Sequence, residues 1–102
     1  MKETLERFVK NLEDEDFSEA HETMEQKWKE YKKQANPLAK LLKGFINGAT
    51  AFELLNRGKS DGAQRLWAVY EKYLVLMVED IEEYALFEQA DEMLKKLSRA
   101  RL

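Results

Sequence analysis

The sequence predicts an all-α fold: a single-domain bundle of about five helices around a buried central helix near residues 37–57. Apolar residues recur at helical spacing along most of the chain, which is typical of helices that bury one face. The chain contains four glycines and one proline, and 36% of its residues are charged, a composition that favours helices joined by short connections. With 102 residues it can bury one core but not two, so we expect residues 1–102 to form one helical domain.

Proline and glycine mark the limits of the predicted central helix. Asn36-Pro37 precedes it and Arg57-Gly58 follows it, because proline is tolerated at the first helical position and glycine is preferred just after the last. One apolar face carries Leu38, Leu41, Leu42, Phe45, Ile46, Ala49 and Phe52. From Gly44 onward, small or apolar residues also fill the other side, so we expect several helices to pack around it.

A G-x-x-x-G motif, formed by Gly44 and Gly48, lies inside this helix. The motif is known for packing membrane helices, but Lys40, Lys43 and Glu53 around it are incompatible with a lipid setting. It therefore predicts the close approach of a neighbouring helix.

Four further helices are predicted at residues 2–12, about 17–33, from 60 onward, and up to about 98. Asp16 is the expected N-cap of the second helix, with Glu19 three residues later, and Ser60 is the expected N-cap of the fourth. The break before the fifth helix has no glycine or proline, but the apolar stripe changes phase there, and Asp80 is the candidate cap.

Charge is distributed unevenly along the chain, whose net charge is −3. Residues 1–25 carry nine acidic and three basic side chains, whereas residues 26–43 carry six lysines and one glutamate. Lysines close to Trp28 and Tyr31 are a combination that attracts nucleic acid or another anion. A lysine-rich connection between helices is more often a solvated edge, so the sequence does not favour nucleic-acid binding.

The composition also bears on the compartment. The chain has no cysteine, which fits a reducing cytoplasm and leaves no thiolate for a metal site. Its first residues are charged, and no apolar run approaches the roughly 18 residues of a membrane-spanning helix. We therefore expect a cytoplasmic protein without a membrane partner.

The candidate site is a group of polar residues on faces that point toward the predicted core. His21, the only histidine, lies on such a face, with Glu25 one turn later and Glu22 more exposed. The segment A-H-E-T-M-E matches the zinc-protease helix motif incompletely, because Glu25 replaces the second histidine. Glu53 falls within the apolar face of the central helix, where an unpaired carboxylate is costly. We expect His21 to meet Glu53, with Glu25 and Arg65 at the rim.

Two interpretations of this cluster remain open. One is a hydrogen-bonded pair that fixes the register of two helices, which is common in helical bundles and is the interpretation we favour. The other is a small polar pocket that binds a metal ion or a small ligand. There is no nucleophile elbow, phosphate-binding glycine loop or second histidine, so no catalytic residue, metal or cofactor is assigned.

Three segments resemble domain-of-unknown-function family 309, a prokaryotic family of helical proteins. They are F-S-E-A-H-E-T-M-E-Q-K-W (residues 17–28), K-G-F-I-N-G-A-T-A-F (residues 43–52) and R-G-K-S-D-G-A-Q-R-L (residues 57–66). The family pattern has an aromatic residue before A-H-E, then a glutamate and a tryptophan, a G-L-I-Q-like helix, and an R-G-N turn followed by G-A and R-L. The resemblance implies a small all-helical fold with an up-and-down bundle core and no assigned activity.

The resemblance also implies a set of site residues. The motif positions are occupied here by His21, Glu22, Glu25, Trp28, Gly44, Gly58, Gly62, Ala63 and Arg65. The chain departs from the pattern at Asn47, at Lys59 and at Glu53, where many members of the family place a histidine. The last departure argues against a shared metal function.

We therefore expect a binding or assembly module that associates with itself and in which the cluster at His21 is structural. Leu54 and Leu55 are candidates for a subunit interface, with burial beneath the first or last helix as the alternative. The alternative function is a metal- or small-ligand-dependent enzyme that uses a pocket around His21, Glu25 and Glu53. The sequence favours the non-enzymatic role.

Overall fold

The computed structural model describes all 102 residues and contains five α-helices and no strand. The helices are α1 (Lys2–Glu13), α2 (Phe17–Lys33), α3 (Ala39–Asn56), α4 (Ser60–Leu74) and α5 (Tyr84–Arg101). The predicted all-α bundle of five helices is confirmed. No helix is both long and apolar enough to cross a membrane.

Helix α3 is the centre of the bundle. It packs on α2 and α4 and touches α5, whereas α1 packs on α2 and α5. Helices α1 to α4 therefore contact one another in chain order, as short connections impose in an up-and-down bundle. Nine residues of α3 are buried, and they occupy more than half of the helix circumference: Leu41, Leu42, Gly44, Phe45, Ile46, Gly48, Ala49, Ala51 and Phe52.

The two glycines of the G-x-x-x-G motif face α4. A Cβ atom at Gly44 would lie 2.8 Å from the Cβ of Tyr73, and one at Gly48 would lie 3.2 Å from the ring of Tyr70. Real Cβ atoms do not tolerate the first of these distances, so only glycine permits this separation of α3 and α4. The predicted close approach is confirmed.

Helix α2 begins as predicted, because the side chain of Asp16 accepts a hydrogen bond from the backbone N–H of Glu19 at 3.1 Å. Helix α3 begins two residues later than predicted. Asn36 causes the delay: its side-chain oxygen accepts from the N–H of Leu38 at 2.9 Å and its carbonyl accepts from that of Ala39 at 3.0 Å. The segment is thus a turn before it becomes a helix.

The prediction that Ser60 caps α4 is wrong. Ser60 is the first residue of the helix, and Lys59 precedes it without a capping side-chain hydrogen bond. The N–H groups of Gly58 and Lys59 donate to the carbonyls of Leu55 and Leu54, and Gly58 has a φ of +76°. This is the Schellman arrangement that ends a helix with glycine, and it reverses the chain one residue earlier than expected.

The prediction that Asp80 caps α5 is also wrong. Glu83, with a left-handed φ of 64°, precedes the first turn, and α5 continues beyond Ser98 to Arg101. An ion pair between Arg101 and Glu15 holds the last turn against the connection between α1 and α2.

Leu54 and Leu55 are partly buried, and Leu55 packs against the core. The large apolar side chains that remain exposed are Val75, Leu76, Val78 and Leu102.

Candidate functional site

The sequence-predicted cluster forms between α2 and α3. His21 Nε2 lies 2.6 Å from Glu25 Oε2, and His21 Nδ1 lies 3.6 Å from Glu53 Oε1. The expected meeting of His21 and Glu53 is confirmed. Glu22, by contrast, is exposed and makes no ion pair or side-chain hydrogen bond.

Thr50 is a member of the cluster that the sequence analysis missed. Its hydroxyl donates to the carbonyl of Ile46 at 2.8 Å, as threonine commonly does within a helix, and its oxygen lies 3.0 Å from His21 Nδ1. Both ring nitrogens of His21 thus face side-chain oxygen atoms, Glu25 Oε2 at Nε2 and Thr50 Oγ1 at Nδ1. The sequence did contain a sign that Thr50 belongs to the cluster, because Thr50 lies three residues before Glu53 and therefore on the same face of α3.

Glu53 receives its second partner from Arg57, the residue that directly follows its own helix. Its side chain is 17% exposed, and Oε2 lies 3.2 Å from Nη2 of Arg57, one turn later. The cation at the rim is therefore Arg57, and the expectation of Arg65 there is wrong. Arg65 is exposed on α4 and makes no ion pair, because that face of α4 points away from α2. Glu53 Oε1 is buried without a hydrogen bond and lies 3.6 Å from His21 Nδ1.

Electrostatics keep Glu25 ionised. Its hydrogen bond with His21 holds the pKa of Glu25 below the ordinary value of 4.5, and the charges of His21, Lys29 and Lys43 lower the pKa further, against a raising effect of partial burial. Glu25 is therefore a carboxylate near neutral pH and acts as a fixed ion-pair partner.

No cavity opens at His21. Of the cluster residues, Glu53 and Arg57 line a shallow depression of about 230 Å³, and the side chain of His21 lines none of the five cavities on the surface. No group of three or more His, Asp or Glu side chains is arranged so that it could hold a metal ion. The cluster is filled by its own hydrogen bonds and ion pairs.

The more open site lies at the end of the bundle where α2 ends, α3 begins and α4 ends. A groove of about 550 Å³ is lined there by ten residues, which we call the basic groove. Its apolar walls come from Trp28, Pro37, Tyr73 and Leu76, and its charges come from Lys32, Lys40 and Lys43. A second depression of about 610 Å³, which Lys33 helps to line, shares Trp28 and Lys32 with it.

The lysines of this end differ in their pairing. Lys27 and Lys29 lie 3.0 Å and 3.7 Å from the carboxylates of Glu30 and Glu25. Four lysines have no carboxylate at ion-pairing distance, namely Lys32, Lys33, Lys40 and Lys43.

Two of these four lie over the partly buried Trp28. The ammonium groups of Lys32 and Lys43 are 4.9 Å and 4.4 Å from the centre of its ring, within the range of cation–π attraction. Uncompensated ammonium groups above apolar walls suit a ligand that combines negative charge with an apolar part.

A second buried polar group, also missed in the sequence, joins α4 to α5. The hydroxyl of Tyr70 donates to Asp91 Oδ1 at 2.5 Å, and Lys95 Nζ lies 2.8 Å from Asp91 Oδ2. Burial and the bond to Asp91 raise the pKa of Tyr70 far above its ordinary value. Its position in an apolar stripe made Tyr70 look like an ordinary core residue.

The fold and the partly buried cluster define a small helical-bundle protein in which a polar contact joins the second and third helices. The chain belongs to the family described as Domain of unknown function (DUF309), whose family model matches residues 5–66. The match spans α1 to α3 and the first part of α4, so it includes the His21 cluster and the part of the basic groove that α2 and α3 supply. Searches of curated proteins and of solved structures each found no match.

Proposed function

We propose that this protein is a cytoplasmic binding module that holds an acidic, partly apolar segment of a protein partner in the basic groove. The observation that carries the proposal is a cavity with apolar walls at Trp28, surrounded by lysines that have no carboxylate partner. Ligand sites are typically concave, largely apolar and supplied with a few convergent polar groups. The groove has these properties, and the His21 cluster does not.

A peptide ligand fits the groove better than nucleic acid. Proteins that bind single strands stack bases on open aromatic rings. Here two ammonium groups lie over the ring of Trp28, where a base would stack. An acidic segment instead places carboxylates beside Lys32 and Lys40 and an apolar side chain against Pro37 and Leu76.

The His21 cluster has a structural role in this proposal. It joins α2 to α3 through the contacts of His21 with Thr50 and Glu53, and these two helices together with the connection between them line most of the groove. A specific polar contact of this kind, which is partly buried here, fixes the register of two helices. No observation favours the alternative of an enzyme at His21, since His21 and Glu25 line no cavity and the cluster reaches only the shallow depression at Glu53 and Arg57.

A fluorescence titration tests the proposal. Trp67→Phe leaves Trp28 as the single tryptophan, and the probe is a synthetic acidic peptide of Glu and Leu. We expect a saturable change in Trp28 emission that weakens as salt rises. Charge reversal by Lys32→Glu with Lys40→Glu should cost about 1–2 kcal/mol, roughly tenfold in affinity.

The matched control is Lys96→Glu with Arg99→Glu. These substitutions change the net charge equally but lie in the last turns of α5, where Lys96 is near Glu13 and Glu15. An emission change that survives groove reversal, or an oligothymidylate that binds as tightly as the peptide, would contradict the proposal.

A further inference from the structure

We propose that the segment held in the basic groove is residues 75–83 of a second copy of this chain, so that two copies form a two-fold dimer. This inference rests on the proposed function of the groove and names its partner. We call residues 75–83, which join α4 to α5, the acidic connection.

The acidic connection exposes apolar side chains that the fold leaves uncovered. Val75 is 77% exposed, Val78 is 49% exposed and Leu76 is 38% exposed. Three of the four large apolar side chains exposed in the whole chain thus lie within four consecutive residues. A concentration of this kind is typical of a surface that another protein covers.

The same segment carries the charge that the groove lacks. Glu79, Asp80 and Glu82 are exposed, and none of them lies at ion-pairing distance from a basic group of its own chain. The acidic connection therefore has the composition that the groove suits: apolar side chains next to unpaired carboxylates. The groove offers the complement, apolar walls next to unpaired lysines.

The two surfaces are adjacent, which is the geometry that a two-fold dimer requires. Leu76 lines the groove and belongs to the acidic connection, so one patch contains both the basic and the acidic half. Around a two-fold axis, each half of such a patch meets the opposite half of the partner, because residue i contacts residue j while j contacts i. The contact between the basic groove and the acidic connection then forms twice in each dimer.

The size of the patch predicts a weak dimer. Stable interfaces use about 20–30 residues on each side, and the groove and the acidic connection, which share Leu76, together contain 18 residues and only approach that number. Since most of the attraction is between exposed charges, salt should weaken the dimer. The family match ends at residue 66, so the inference concerns this chain and not the family.

Sedimentation analysis of charge-reversed pairs tests the inference. The groove variant is Lys32→Glu with Lys40→Glu, and the connection variant is Glu79→Lys with Asp80→Lys; all four positions are exposed. At low salt we expect wild type to dimerise as its concentration rises and each variant alone to dimerise at least about tenfold more weakly. An equimolar mixture of the two variants should dimerise again, because both contacts of the mixed pair join opposite charges.

Three outcomes would overturn the inference. The first is a wild-type protein that stays monomeric at low salt and high concentration; if it still binds the acidic peptide in the titration above, the groove function stands and only the dimer fails. The second is a mixture of variants that stays monomeric while wild type dimerises, which places the interface elsewhere. The third is an equal loss of dimer in the Lys96→Glu, Arg99→Glu control, which would make net charge the cause.

Discussion

The bond between Tyr70 and Asp91 offers a quantitative test of how this bundle is held together. Replacing Tyr70 with Phe removes one hydroxyl and leaves the aromatic ring in contact with Phe45 and Trp67. Asp91, whose residue is 4% exposed, then keeps Lys95 as its partner at 2.8 Å. The substitution therefore isolates one buried hydrogen bond to a charged acceptor.

The expected cost follows from burial. A hydrogen bond to a charged group contributes about 1.5–3 kcal/mol, and the loss of a partner from a buried carboxylate falls in the same range. No large cavity forms, since only an oxygen atom is removed. For a chain of this size a loss of about 2 kcal/mol lowers Tm by roughly 10 °C.

The assay is thermal unfolding at pH 7 followed by circular dichroism. Tyr84→Phe is the matched control, because it removes a hydroxyl whose hydrogen bond to Glu88 is exposed. That control should leave the free energy of unfolding close to the wild-type value.

The pair of Tyr70 and Asp91 also predicts how stability changes at alkaline pH. The pKa of Tyr70 is higher in the folded state than in the unfolded state. Its contribution to stability is therefore fully present below the ordinary pKa of 10.0. That contribution is lost as pH rises above this value, because the unfolded state then releases a proton that the folded state keeps. Wild type should thus lose more stability above pH 10 than Tyr70→Phe does. Equal stability of Tyr70→Phe and Tyr84→Phe at pH 7, or parallel alkaline curves of wild type and Tyr70→Phe, would refute this account of the buried bond.

Three further predictions concern α3 and the His21 cluster. Gly44→Ala should lower the free energy of unfolding by about 1–3 kcal/mol, because its Cβ would meet the Cβ of Tyr73 at 2.8 Å. Gly62→Ala is the control, since its Cβ faces only a flexible leucine methyl. Equal midpoints of urea unfolding for the two variants would contradict the close approach of α3 and α4. The pKa of Glu25 is lower in the folded state than its ordinary value of 4.5. The contribution of Glu25 to the free energy of unfolding is therefore present above pH 4.5 and is lost as pH falls through the pKa of the folded state. Glu25→Gln should therefore flatten the acid side of the stability curve, and an unchanged curve would argue against the His21 bond. Finally, His21→Gln should lower Tm yet bind the acidic peptide within about twofold of wild type; lost binding in a folded variant would assign His21 a direct role.

Local patterns in the sequence were enough to predict the elements of the fold. Residue spacing within about one helical turn predicts the central helix and the cap at Asp16. It also predicts the close contact that Gly44 allows. Helix boundaries were less predictable. Whether Lys59 or Ser60 precedes α4 depends on which N–H groups bond to the last carbonyls of α3, and several residues near a helix end compete for such bonds.

Contacts between helices were predictable only in part. A carboxylate that faces the core needs a polar partner, so the meeting of Glu53 with His21 was predictable. That Arg57 and not Arg65 pairs with Glu53 was not predictable, because it depends on the rotation of α4 about its axis. The pair of Tyr70 and Asp91 was not predicted, because it depends on how α4 and α5 are rotated against each other.

The basic groove combines both cases. Its lysines and Trp28 lie close together in sequence, and the charge pattern alone indicates a basic end of the molecule. Tyr73 and Leu76, which turn that surface into a cavity, come from α4 and the acidic connection. Periodicity gives the face of each helix but not how far one helix is displaced along another, so the cavity required the structure.

The most direct test of the central claim is an NMR titration of the isotope-labelled connection variant, whose own groove stays free at low concentration. The probe is a peptide with the sequence of residues 75–83, V-L-M-V-E-D-I-E-E. We predict saturable shifts of the Trp28 indole N–H and of the Lys32 and Lys40 amides, with the ring signals of His21 unchanged. Shifts centred on His21 and Glu53, or no shifts at all, would contradict the assignment of the basic groove as the binding site.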